Sequence, residues 1–301
     1  LSSPFLRWWV RYAMLDDFGG DPEDISAWAG LHYFAARKLR SPELEGSHYL
    51  VWPEGNGRLV RAMHESARPR VTYGALVTRV EETRGGVSVD YFDVKRNEAR
   101  RVEARAAIVA APAFVTRRIV AHPAAEALPE RVASPWIVAN LHVTRPIDPD
   151  LPWDSVLYDG DGLGYVDASH QRTTPSESTV LTYFRAYGSA DVRAARASLL
   201  AASWDDLASG VLRDLAPAHP TLRDELSRID VMIWGHAMPR PRPGFLGETP
   251  FEAPRALGDR IAWAHVDQAG IALFEEAQLS GVRAAETIAK AIGVSLGESY
   301  L

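Results

Sequence analysis

The sequence predicts a mixed α/β fold in which helices and strands are partly segregated. Three observations carry that reading. Apolar residues recur at helical spacing near both ends of the chain, from Phe5 to Leu15 and from about Leu273 to Ile292. Ile108 to Ala111 is continuously apolar and small, as a strand buried on both faces would be. Between the ends, runs such as Trp136 to Val143 and Thr179 to Tyr187 have the length and composition of strands.

The 301 residues leave room for one large domain or two ordinary ones. A hydrophobic fraction of 47% and a charged fraction of 24% are those of a soluble globular protein. With a net charge of −6 and intermixed signs, neither general nucleic-acid binding nor attraction to anionic membranes is favoured. No apolar run approaches the ~20 residues of a membrane span. The chain holds no cysteine, which excludes disulfides, thiolate metal sites, cysteine nucleophiles and cysteine-linked flavin. It opens at Leu1 with no signal-peptide pattern, and its aromatic start reads as mid-protein helix, so a preceding segment is expected.

In order, the first 40 residues read as helical. Phe5, Trp8, Trp9, Tyr12 and Leu15 line one face until Gly19-Gly20 break it. Asp21 and Pro22 resemble the start of a second helix that would bury Ile25, Trp28, Ala29, His32 and Ala36. A Pro-Glu-Gly-Asn-Gly turn at 53–57 leads to a helix expected to bury Leu59, Val60, Met63 and Ala67. Strands are expected at 71–80, 86–91 and 106–111. Further strands, at 136–143, 155–158 and 179–187, should form one mostly antiparallel sheet beside the helices of 1–40 and 190–215, the latter broken near Ser203. A strand at 230–234 precedes a segment, 238–254, with five prolines. A short strand at 260–264 and the last helix complete the chain.

Three separated segments carry the chemistry. Trp52 to Val60 is a glycine turn feeding a helix, and glycine permits close backbone approach to a ligand. Residues 75–112 form a β-meander whose last strand ends in Ala110, Ala111 and Pro112, leaving backbone open at the sheet edge where α/β folds bind ligands. Finally, Arg260 to Asp267 is followed by a helix with a small-residue stripe, Ala277, Gly281, Ala284 and Ala285, suited to close packing on a sheet. The start of that helix presents unpaired N–H groups and the positive end of the helix dipole. Nine scattered histidines show no H-E-x-x-H or H-x-x-x-H pair, so no metal site is expected. Ser280-Gly281 lacks the elbow of a serine hydrolase.

In order and spacing these segments resemble the flavin-containing amine oxidoreductase superfamily, which spans amine oxidases, protoporphyrinogen oxidase and phytoene desaturase-like enzymes. The resemblance implies a partial FAD-binding, Rossmann-like unit at 46–135 and 246–301, and a substrate domain at 1–45 and 136–245. It implies that the backbone at Val77 and the small strand end at Ala110, Ala111 and Pro112 lie by the adenosine end of FAD. Asp267 would lie by the ribitol and pyrophosphate, and the helix start at Leu273, Phe274, Glu275 and Ala277 by the isoalloxazine. Asn140 and His236 are the implied substrate contacts, and no side chain is identified as catalytic.

The family's G-x-G-x-x-G fingerprint is absent from these residues, and its place is upstream. FAD is therefore expected in the full-length protein, with weak or no binding by these residues alone. His265 and Glu276 replace smaller or uncharged residues of the family pattern. The strand Ile137-Val138-Ala139-Asn140 lacks the lysine that many amine oxidases carry beside the flavin. The expected function is an FAD-dependent oxidoreductase removing hydride from a small organic substrate, an amine or an apolar C–H. The rival is a catalytically silent flavoprotein-like scaffold, favoured by His265 and Glu276. Neither electron acceptor nor compartment is written in these residues.

Overall fold

The computed structural model describes residues 2–36, 52, 54–67, 70–145, 152–158, 160–169, 172, 177–248 and 255–297. The ends of the predicted first helical stretch (37–40) and of the proline-rich segment (249–254), Pro53 of the glycine turn and part of the 169–178 loop lie outside them. The chain forms two compact units, Leu1–Pro69 with Ala133–Pro243, and Arg70–Val132 with Gly244–Leu301.

Helix α1 (Pro4–Phe18) has Pro4 in its first turn and ends where Gly19, at φ 65°, returns its N–H to the Leu15 carbonyl. A Cβ at Gly19 would stand 2.9 Å from that of Ser134, so glycine is required twice over. The second helix starts later than Asp21 suggests. α2 spans Ala27–Ala36, and Asp21 instead accepts from Arg11 at 2.7 Å. Its inward face is Ile25, Ala29 and Tyr33, while Trp28, His32 and Ala36 are exposed. α3 (Gly57–Ala67) also departs from expectation, with Val60, Met63 and Ala67 exposed rather than inside. Periodicity marks which side of a helix is apolar; it does not supply the surface that covers it. The described residues at 52 and 54–67, read from sequence with the distal part, group with the first unit.

The chain then enters the second unit. β1 (Ala75–Glu82), β2 (Val87–Asp93) and β3 (Glu98–Ala104) form an antiparallel meander. β3 escaped the sequence reading because Glu-Ala-Arg-Arg-Val-Glu-Ala shows no apolar alternation; it is an exposed strand held by its ladder to β2. β4 (Ala107–Val109), α4 (Ala113–Ile119) and α5 (Pro123–Glu126) follow.

Returning to the first unit, β5 (Ala133–Val143), β6 (Asp154–Val156), β7 (Gly164–Asp167) and β8 (Thr179–Ala186) precede α6 (Val192–Ala201), α7 (Trp204–Leu215), α8 (Leu222–Glu225) and β9 (Leu226–Pro239). The five strands make one antiparallel sheet in the order β6-β7-β8-β5-β9. Ser203 ends the first of the two helices as predicted, forming a capping box with Asp206 that starts α7. One face of the sheet buries Ile137, Ala139, Leu141, Leu181 and Tyr183 with Leu199, Val211 and Leu215. Each fully buried leucine there contributes about 1.5–3 kcal/mol. On the other face, α1 sets Tyr12 and Leu15 against Trp136 and Leu163.

The chain ends in the second unit with α9 (Phe245–Glu248), β10 (Arg255–Ala256), β11 (Ile261–Trp263) and α10 (Phe274–Ala291). β11 lies parallel to β4 and antiparallel to β10. Only the distal part of the small stripe packs closely: Ala284 and Ile288 of α10 lie on Ala262 and Ala264, whereas Ala277 is exposed and a Cβ at Gly281 would meet nothing within 4 Å. Val80, Val109, Val120, Ile261 and Trp263 share a second core with Ala113 of α4.

Candidate functional site

In the second unit the parallel pair β4 and β11 ends on one side, and each strand feeds a helix from that end. Open α/β sheets expose backbone in such a place. Ala110, Ala111 and Pro112 leave β4; Ala110 is exposed, and the Ala111 carbonyl accepts from the Trp263 indole at 2.7 Å. On the meander, a β-bulge falls between Val77 and Arg79, so Thr78 has no opposite partner and the ladder is interrupted next to Val77.

Asp267 follows β11 in a 3-10 turn, Val266–Gln268, and is 6% exposed. Its Oδ2 accepts from the Ala113 N–H at 2.9 Å, which caps the first turn of α4 from a distant segment. Burial by itself would push this carboxyl up. Its neighbours His265, the Ala113 N–H and Arg131 together hold it below the usual carboxylate value. Arg131 also donates from Nε to the Asp267 carbonyl at 2.9 Å. The His265 ring turns back on its own backbone: Nδ1 accepts from the Asp267 N–H at 3.1 Å, and the ring lies near-parallel to Trp263 at 6.3 Å.

α10 begins differently. Leu273 caps it without a side-chain hydrogen bond, Leu273, Glu275 and Ala277 are exposed, and Phe274 and Glu276 are half-buried. The cap side chain therefore satisfies none of the first-turn N–H groups, and Glu275 and Glu276 stand in that turn. Val77, Ala110 to Pro112, Asp267 and 273–277 all belong to this one unit.

Asn140 and His236 belong to the other unit, on the sheet face opposite α6 and α7. Asn140 accepts from Thr182 at 2.9 Å and stands opposite Asp230 on β9. His236 is exposed on β9, six residues further along. That is about 20 Å at the rise of a strand, so one small molecule does not touch both. The same face exposes Met232 and Trp234, at 54% and 50%. Sequence reasoning missed these two, although the alternation Met232, Trp234, His236 marks one face of a strand. A cleft of about 250 Å³ in this unit is lined by Trp8, Arg11, Tyr12, Leu163, Arg185 and Tyr187 among others. Its arginines are already paired, Arg11 with Asp21 and Arg185 with Asp161 at 3.0 Å. Among the described residues no helix is long and apolar enough to cross a membrane, and no cluster of three or more potential ligands could hold a metal.

The fold is shared with solved structures of oxidases. Cyclohexylamine oxidase from Brevibacterium oxydans IH-35A superposes with a TM-score of 0.64 at 16% identity, over 97% of this chain and 65% of that one. A triple mutant of putrescine oxidase, from a redesign of its cofactor binding, gives 0.63 at 16% identity over 93% and 63%. A single mutant from the same redesign gives 0.59 at 17% over 78% and 53%. The chain therefore spans from about half to just under two thirds of the length of these structures. No curated protein sequence matches it. A family model described as flavin containing amine oxidoreductase matches residues 17–289, nearly the whole chain. The chain belongs to the flavin containing amine oxidoreductase family.

Proposed function

We propose that this chain supplies the substrate wall and the distal part of the flavin cradle of an FAD-dependent oxidoreductase acting on a small organic substrate. The observation that carries the reading is the paired strand ends of β4 and β11 with the uncapped, exposed start of α10 beside them. Uncapped N–H groups suit the electron-rich edge of a flavin ring. The interrupted ladder beside Val77 offers backbone groups to an adenine edge, and Ala110 and Ala111 leave space for close approach. Asp267 contributes by position: it holds the start of α4 and shapes the strand ends from inside the unit. When bound, the flavin supplies the hydride chemistry. The exposed sheet face with Asn140, Met232 and Trp234 supplies a wall on which an apolar substrate body lies.

In favour of this reading over a silent scaffold, the His265 ring is already engaged by the Asp267 N–H. Glu275 and Glu276 oppose an anion near the start of α10. These residues also offer no glycine-rich diphosphate cradle. Weak FAD binding is expected, with half-saturation no tighter than about 100 μM, and Glu276→Gln should tighten it a few fold. Flavin fluorescence during titration measures both. Flavin emission unchanged at about millimolar protein would overturn the proposal.

A further inference from the structure

An open sheet ends in strands whose outer backbone groups have no ladder partner, and such edges invite pairing with another chain unless something blunts them. Most edges of this protein are blunted. β4 and β6 have three residues each and β10 has two. On β3 the exposed Glu98, Arg100, Arg101 and Glu103 set charge along the edge. β1 is interrupted by its bulge, and its Val80 bridges Val120. β9 differs from all of these. It runs for 14 residues at the end of the five-stranded sheet, and among the described residues no strand pairs with its outer side.

The residues of β9 add little defence. From Ser227 to Met238 there is neither proline nor lysine. Its Arg228 and Asp230 neutralise each other, Nε to Oδ1 at 2.8 Å. Beyond them Met232 and Trp234 stand exposed on one face, and Pro239, without an N–H, closes the edge. A long, apolar, unguarded edge is a template for another strand. β9 is also complementary to itself. A strand pairs with its own copy about a two-fold axis normal to the sheet, so opposed positions add to a constant and share a face. An axis through Asp230 would set like charges against each other. An axis through Ile233 sets Met232 against Trp234 of the second copy, a favourable sulfur–aromatic pair, and Asp230 against His236 of the second copy. Residues 228–238 then overlap along the seam.

We propose that β9 pairs edge to edge with β9 of a second copy of this chain, centred on Ile233, and joins the two five-stranded sheets into one. The occupant is a second copy rather than an unrelated strand because symmetry makes each match twice, Met232 with Trp234 and Asp230 with His236. Pairing at the edge extends a sheet without covering its face. The wall that carries Asn140, Met232 and Trp234 therefore continues from one copy into the next.

Sedimentation velocity of the chain between about 1 and about 100 μM tests the assignment, and the sedimenting species should shift from monomer to dimer. Hydrogen exchange at the two ends of that range locates the contact without any substitution: amides within 228–238 should exchange more slowly in the concentrated sample. Trp234→Glu changes an exposed side chain and should weaken association at least about tenfold. Adding Met232→Lys to it sets opposite charges face to face in this register, and association should return to within about threefold of the parent. A monomer throughout the range overturns the proposal. So does a dimer whose β9 exchange does not depend on concentration, because another surface then makes the contact. A double variant no tighter than Trp234→Glu overturns the pairing centred on Ile233.

Discussion

Arg240 in the first unit and Asp267 in the second are both buried charges, and they differ in how much of their bonding capacity the protein consumes. The Arg240 side chain is wholly buried. Nε donates to Ser134 Oγ at 2.6 Å, Nη1 to Asp24 at 2.6 Å, and Nη2 to the carbonyls of Ser189 and Tyr187 at 3.0 and 3.3 Å. It joins the α1–α2 turn, the start of β5 and the end of β8, with almost every donor used. Asp267 gives one oxygen to a single N–H of α4 and lies 3.4 Å from the His265 ring. A saturated buried charge is a structural clamp. A buried charge at an open strand end positions backbone that something else meets.

The largest effect should come from breaking the clamp. Arg240→Met leaves Ser134 and two carbonyls without this donor and Asp24 with Arg242 alone, and should cost about 3–5 kcal/mol, read from urea unfolding. A loss under about 1 kcal/mol would mean that the hub is no more than a surface pair. Asp267→Ala should be milder, about 1–3 kcal/mol, because one N–H of a short helix loses its acceptor. If it matched Arg240→Met, the contrast between the two charges would fail.

The pH dependence sharpens the same contrast. The native Asp267 carboxyl lies below its unfolded value of about 3.9. Its contribution is therefore present above about pH 4 and is lost as pH falls through the native value. Urea midpoints at about pH 6 and about pH 3 should differ less in Asp267→Asn than in the parent chain, whereas Arg240→Lys should not change that difference. The smallest expected effect is His265→Ala, about 0.5–1 kcal/mol, for loss of the cap on the Asp267 N–H; thermal melting resolves it.

Much of the fold was legible because local patterns matched their final surroundings. The break at Ser203 was readable from spacing alone, and the structure shows a capping box there. The stripe at Ala284 and Ala285 announced close packing, and Ala284 packs on β11. Where the pattern lacked apolar character, as in β3, or where a good helix start was diverted into an ion pair, as at Asp21, sequence reasoning went astray. The candidate site was partly legible in the same way. Asp267 and the start of α10 stood out beside a strand end.

By itself the sequence determined most element types and the family, since these depend on periodicity, small residues and capping groups close together along the chain. It read β4 as the last strand of the meander, whereas the structure pairs β4 in parallel with β11 in a separate sheet. Only the tertiary structure decided which charges are consumed and which are left over. Arg240 has partners 51 to 216 positions away, and the acceptor for the Ala113 N–H lies 154 positions along. Desolvation and hydrogen-bond saturation are set by neighbours in space, and no local pattern along a chain records them.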